Sequence, residues 1–170
     1  MNTICFAYVD VANLEHGVVD LGWELDYKRL RVWLTDKYSV REAYLFIGKI
    51  EKNRDIYAAL QAAGFNLVFK EVVGDGHGGV KGNCDAELIL AAVVDYFEQK
   101  YQKAILISSD GDYSCLVRFW KGKNVIVSVI SPRNKCSKLL TRTNVPIVYL
   151  DTQRSILESK SEESVVNNPI

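Results

Sequence analysis

An α/β fold, with a doubly wound, mainly parallel sheet of five to six strands flanked by helices, is the architecture this sequence predicts. Three observations predict it. Apolar runs of strand length alternate with stretches of helical length from residue 4 to residue 150. Several runs are continuous in Val, Ile and Leu rather than alternating with polar residues, as in strands covered on both faces. Finally, the order strand then helix recurs, and such repeats close into parallel sheets through right-handed crossovers.

In chain order, strands are expected at residues 4–9, 43–47, 66–69, 104–108, 125–130 and 147–150. Helices are expected between them at 26–37, 52–63, 84–102, 113–122 and 134–141. Gly64 follows the second of these where a C-terminal glycine belongs, and Ser131-Pro132 breaks the chain after the fifth strand. Ahead of the long third helix, Gly74-Asp75-Gly76-His77-Gly78-Gly79 carries four glycines in six residues. It reads as a flexible connector, suited to a site edge or to a plain surface crossover. From Ser159 the chain turns polar, so the expectation is one domain over 1–158 and a frayed tail over 159–170.

At 170 residues the chain fits a single domain with one substantial core. Its net charge of zero does not advertise a polyanionic partner, but the charge is unevenly spread. Residues 103–142 hold eight bases against two acids, so one region can carry a positive face. Cys5, Cys84, Cys115 and Cys136 form no C-x-x-C pair and only two histidines are present, which argues against a zinc site. No apolar run approaches the roughly 20 residues that span a bilayer, and Met1-Asn2-Thr3 opens no signal-like segment. The expected setting is cytoplasmic, away from membranes.

Chemistry on such a sheet sits at the carboxyl ends of strands, near the point where strand order reverses. The first strand runs into Val9-Asp10-Val11-Ala12-Asn13, and the fourth into Ser108-Ser109-Asp110-Gly111-Asp112. Asp85 opens the long helix in Lys81-Gly82-Asn83-Cys84-Asp85-Ala86-Glu87. Singly, each acid has a local explanation: Asp10 as a turn residue, Asp112 as a cap, Asp85 as a first-turn acid favoured by the helix dipole. Together they imply more. Two carboxylates about 4 Å apart repel by roughly 4 kcal/mol at an effective dielectric near 20, so a cluster needs a cation, a shared proton or basic partners. Hard oxygen donors favour Mg2+ or Mn2+ over zinc. Such an ion activates water and neutralises charge in phosphodiester hydrolysis. Asp10, Asp85 and Asp110 are candidate ligands, with Asp112 a fourth ligand or a holder of water. Asn13 either orients water or phosphate, or makes a local turn bond.

These three segments resemble the NYN-domain family, a branch of the PIN-like nucleases. The match rests on Val9-Asp10-Val11-Ala12-Asn13-Leu14, on Lys81-Gly82-Asn83-Cys84-Asp85-Ala86-Glu87-Leu88, and on Ile107-Ser108-Ser109-Asp110-Gly111-Asp112-Tyr113. The resemblance implies a PIN-like fold over roughly residues 3–150 and a metal-dependent ribonuclease acting on single-stranded RNA. It places Asp10, Asp85, Asp110 and Asp112 at the metal, with Asn13 beside it. Many relatives carry a further aspartate where this chain has Ala91. Glu87 points about 200° away from Asp85 around an ideal helix, and Asp95 lies about 15 Å further along the axis, so neither replaces it.

A bound strand needs cations, because phosphate contacts supply most non-specific affinity. Lys81 beside the helical acid is the first candidate, with Arg133 and Lys135 beyond the fifth strand. Ser108 and Ser109 offer hydroxyls to phosphate or to local backbone, and Trp23, Phe46 and Tyr113 are aromatic, the last two better suited to the core. A homodimer is compatible with the sequence. The competing functional reading is a non-catalytic PIN-like module that binds RNA or protein. An aspartyl-phosphate phosphatase fits less well, since Asp10 is followed by Val11 and Ala12 rather than the Asp-x-Asp such enzymes use.

Overall fold

The computed structural model describes residues 3–49, 53–70, 73–74, 80–81 and 84–160, those at 73–74 and 80–81 by their backbone alone. Most of the glycine-rich connector and residues 161–170 lie outside the described residues.

Eight strands and seven α-helices are defined among them. Six strands form one sheet: β1 (Cys5–Asp10), β2 (Val40–Gly48), β3 (Asn66–Lys70), β6 (Lys103–Ile107), β7 (Ile126–Ser131) and β8 (Ile147–Tyr149). Their spatial order is β3-β2-β1-β6-β7-β8, and every neighbouring pair is parallel. The chain winds outward from β1 to one edge, then returns to β6 and winds to the other. The reversal therefore falls between β1 and β6, where ligands of such sheets bind. Register sets the detail: Val9 pairs with Ile107, so Asp10 stands level with Ser108 at the carboxyl ends.

Period-two alternation divides the core into two layers. Cys5, Ala7 and Val9 pack on one face with α1 (Val11–Asp20), α2 (Tyr27–Tyr38) and α3 (Arg54–Ala62), through Leu14, Val18, Leu30, Trp33, Leu34 and Leu60. Phe6 and Tyr8 pack on the other with α4 (Asp85–Phe97) and α5 (Ser114–Gly122), through Leu88, Ala92, Leu116, Val117 and Trp120. By the same alternation Asp10 follows Tyr8 onto the α4 face. That face also carries a polar thread, in which the Tyr8 hydroxyl donates to Asp95 at 2.8 Å and Lys100 reaches the same carboxylate at 2.8 Å. Asp95 is a buried structural acid.

The structure adds α1, where the sequence predicts only a turn around Asn13. Asp10 caps this helix by accepting from the Asn13 N–H at 3.2 Å, and Val11, Leu14, Gly17 and Val18 form its buried stripe. Gly17 is required by packing: a Cβ there would lie 2.4 Å from Pro132 Cγ. The long helix ends at Phe97 rather than 102, because Gln99 turns left-handed (φ 59°). The expected helix at 134–141 splits into a 3-10 turn (Arg133–Lys135) and a short α6 (Lys138–Thr141) capped by Ser137. A two-stranded antiparallel ribbon pairs β4 (Val73–Gly74) with β5 (Val80–Lys81). At the C-terminus α7 (Arg154–Leu157) leads into backbone pairing with residues 24–26, and Ser159 N–H still donates to Glu24. No helix among the described residues is long and apolar enough to cross a membrane.

Candidate functional site

The carboxyl end of β1, the start of α4 and the turn after β6 meet at the reversal point. Asp85, Asp110 and Asp112 each offer one oxygen, and the three oxygens lie within 4.8 Å of one another. Local structure fixes the two on the turn: Asp110 accepts from the Asp112 N–H at 2.9 Å, closing the 3-10 turn Gly111–Tyr113. Gly111 permits that turn to sit against α6, since a Cβ would come within 2.4 Å of Ser137 Oγ.

Asp10, expected among the ligands, lies beside this group but outside it, 8% exposed. Tyr113, wholly buried, places its hydroxyl 2.7 Å from Asp85 Oδ1 and 3.2 Å from Asp10 Oδ2. One hydroxyl touching both carboxylates holds those oxygens within about 5.9 Å of each other. A hydroxyl has one proton, so it donates to one acid at a time. Burial pushes the Asp10 carboxyl above its usual range, and the charges of Asp85 and Asp110 push the same way. Hydrogen bonds from the Asn13 N–H and the Tyr113 hydroxyl pull it back in part. Burial, then the charge of Asp10, raise the Tyr113 phenol, so it remains a donor. Among the described residues no base forms an ion pair with Asp10, Asp110 or Asp112.

The donor set suits a hard divalent cation: three clustered carboxylates, without histidine or thiolate in the group. Cys84 lies next to Asp85, but burial raises its thiol and it stands outside the cluster. Glu87 pairs with Lys70 at 3.4 Å and is likewise outside.

The remaining expected residues divide. Asn13 is close: its carbonyl oxygen accepts from the Ser109 N–H at 2.7 Å and from the Ser109 hydroxyl at 2.8 Å, tying α1 to the end of β6. Ser108 is 1% exposed; its hydroxyl accepts from the Asp110 N–H and reaches Asp10. Both serines are thus hydrogen-bonded inward, Ser108 to Asp10 and the Asp110 N–H and Ser109 to Asn13. Arg133 stacks its guanidinium 4.1 Å from the centre of the Tyr149 ring on β8. Lys135 pairs with Asp20, at the far end of α1, at 2.7 Å. Lys81 lies on β5 with its side chain outside the described residues. Tyr113 is core, as its sequence position predicts; the role that the sequence does not announce is that of its hydroxyl, which links two acids. Its position three residues after Asp110, at the close of the turn, is the one signal available.

Residues 7–150 match the NYN domain family. The chain belongs to that family. NYN domains fall among the PIN-like nucleases. The Low amplitude and bright protein LabA of Synechococcus elongatus is 22% identical over 96% of this chain and 92% of its own length. A crystal structure of a Vibrio parahaemolyticus protein of unknown function superposes with a TM-score of 0.74 at 24% identity, covering 91% of this chain and 96% of that one. That likeness shows that the NYN chain and the Vibrio protein share the fold.

Proposed function

We propose that this NYN domain hydrolyses RNA phosphodiester bonds with Mg2+ or Mn2+ held by Asp85, Asp110 and Asp112, and with Asp10 completing the acidic pocket. The observation that carries the reading is the meeting of three carboxylates, from α4 and from the turn after β6, within 4.8 Å. When bound, the cation supplies an activated water and neutralises charge developing on phosphorus. The chain's own residues do the rest. Asp10, fixed by the Asn13 N–H and the Tyr113 hydroxyl, holds its carboxylate at the back of the pocket. Tyr113 sets the spacing of Asp10 and Asp85. Because Ser109 occupies the Asn13 carbonyl oxygen, the Asn13 amide nitrogen is the group left to donate to a phosphate oxygen. Lys81, four residues before Asp85, is assigned to a substrate phosphate. Single-stranded RNA is the substrate form that the family suggests.

The test is cleavage of a generic single-stranded RNA by the purified protein with and without Mg2+ or Mn2+. The expected result is metal-dependent cleavage lost in Asp85→Asn and Asp110→Asn proteins that keep the wild-type circular dichroism spectrum. Wild-type protein with no metal-dependent cleavage above those variants would overturn the reading.

A further inference from the structure

From Tyr113 to Leu150 the chain contains no aspartate or glutamate, yet it holds Arg118, Lys121, Lys123, Arg133, Lys135, Lys138 and Arg142. The protein is neutral overall, so this stretch is where positive charge is concentrated. Three of the seven are committed within the fold. Lys121 donates to the Thr143 carbonyl at 2.6 Å, Lys135 pairs with Asp20, and Arg133 lies over Tyr149. Lys123 stands past the last turn of α5, at the edge of the sheet opposite the acids. Arg118, Lys138 and Arg142 remain, all exposed and without a side-chain partner among the described residues.

Two contacts place the start of α6 beside the acidic turn. Ser137 N–H donates to the Ser109 carbonyl at 3.0 Å, which docks the start of α6 against the loop carrying Asp110. Leu139, half exposed, packs over Gly111, between Asp110 and Asp112. Lys138 therefore begins at the site. Arg142 follows four residues on, on the same side of α6 and about 6 Å along it. The Lys121–Thr143 bond draws α5 alongside α6, and Arg118 lies one turn nearer the acids on that same side of α5. The cations thus descend from the acidic pocket along the seam of α5 and α6.

We infer that this seam is a binding track for a single-stranded nucleic acid, in which Lys138, Arg142 and Arg118 hold successive phosphates of the strand leaving the acidic pocket. The inference rests on the proposed nuclease reading for its direction, but its charge argument concerns binding alone. Phosphate is the fitting ligand because three exposed cations, without a side-chain partner among the described residues and on a stretch that holds no acid, face water, and a strand of phosphates neutralises all three at once. Leu139 offers an apolar surface beside the cleavage point, where a base can rest.

The experiment is fluorescence anisotropy of a labelled oligouridine in EDTA, which separates binding from cleavage. The comparison is between wild type, Arg118→Ala/Lys138→Ala/Arg142→Ala, and a control triple on the α2 side, Lys28→Ala/Lys37→Ala/Arg41→Ala. The track triple is expected to bind about tenfold or more weakly at low salt, with a slope of log affinity against log salt smaller by about 2, since each single-strand phosphate contact contributes about 0.7. The control should match wild type. Equal loss in both triples, an unchanged slope in the track triple, or an acidic peptide competing as well as the oligouridine would each overturn the track. Binding that follows these expectations in a protein that never cleaves RNA would support the track and defeat the nuclease reading. Cleavage by wild type with undiminished binding in the track triple would do the reverse.

Discussion

Replacing Asp10 by Asn should make the metal-free protein more stable, an unusual outcome for a change at a buried strand end. Asp10 is 8% exposed, and its carboxylate lies within about 5.9 Å of an oxygen of Asp85. Two charges about 6 Å apart repel by roughly 3 kcal/mol at an effective dielectric of 20, and Asp110 adds to this. Asparagine keeps an acceptor for the Asn13 N–H but weakens the charge-assisted bond from Tyr113, a loss of about 1 kcal/mol. The net gain is about 1–2 kcal/mol, a rise in Tm of about 3–6 °C for a chain of this size. Thermal unfolding followed by circular dichroism in EDTA at neutral pH measures it.

The sign with pH follows from the raised Asp10 carboxyl. Its contribution to stability is fully present below the unfolded value of 3.8, where it is protonated in both states, and is lost as pH rises through the higher folded value. The gap between variant and wild type should therefore close as pH falls toward 4. Saturating Mn2+ should reverse the order, because only a complete pocket gains the stabilisation that comes from binding the folded state. An Asp10→Asn protein that melts below wild type in EDTA would show Asp10 to be a helix cap and strand terminator alone, and the crowded-acid argument would fall.

Tyr113→Phe removes the hydroxyl shared by Asp10 and Asp85; Mn2+ affinity by calorimetry should fall about tenfold, the usual cost of losing an outer-shell partner. Unchanged affinity would mean that the hydroxyl does not set the spacing of the acids. Gly111→Ala forces a Cβ toward Ser137 Oγ and should cost about 1–3 kcal/mol in urea unfolding, together with most of the RNA cleavage. Wild-type cleavage in that variant would free the Asp110–Asp112 turn from its packing against α6. Tyr8→Phe leaves Asp95 without its buried donor and should cost about 1–3 kcal/mol, while leaving Mn2+ affinity as it was. A change in Mn2+ affinity would place Asp95 in the site after all.

The sheet was legible because its strands are unambiguous. Ala104-Ile105-Leu106-Ile107 is apolar on both faces, and the spacing of the runs leaves room for a helix in each crossover. The first helix was not legible. Gly17 and the β-branched Val18 and Val19 lower its local propensity, and its stability comes from Leu14 and Val18 packing against the sheet. The acids could be read because Asp10 and Asp110 each end an apolar strand, and register alone then sets them on one edge. What the sequence could not carry was the direction of each side chain. Ser108 and Ser109 look like substrate donors in the string, yet just past β6 they are hydrogen-bonded inward, to Asp10, the Asp110 N–H and Asn13. Arg133 and Lys135 look like rim cations, and their partners, Tyr149 and Asp20, lie 16 residues after and 115 residues before them.

The most direct measurement is the anomalous scattering of crystals soaked in Mn2+. A single strong peak about 2.1 Å from oxygens of Asp85, Asp110 and Asp112, lost in Asp110→Asn crystals, is the result expected of a hard cation in this pocket. Density at those carboxylates that stays empty while manganese binds elsewhere on the molecule would contradict the account.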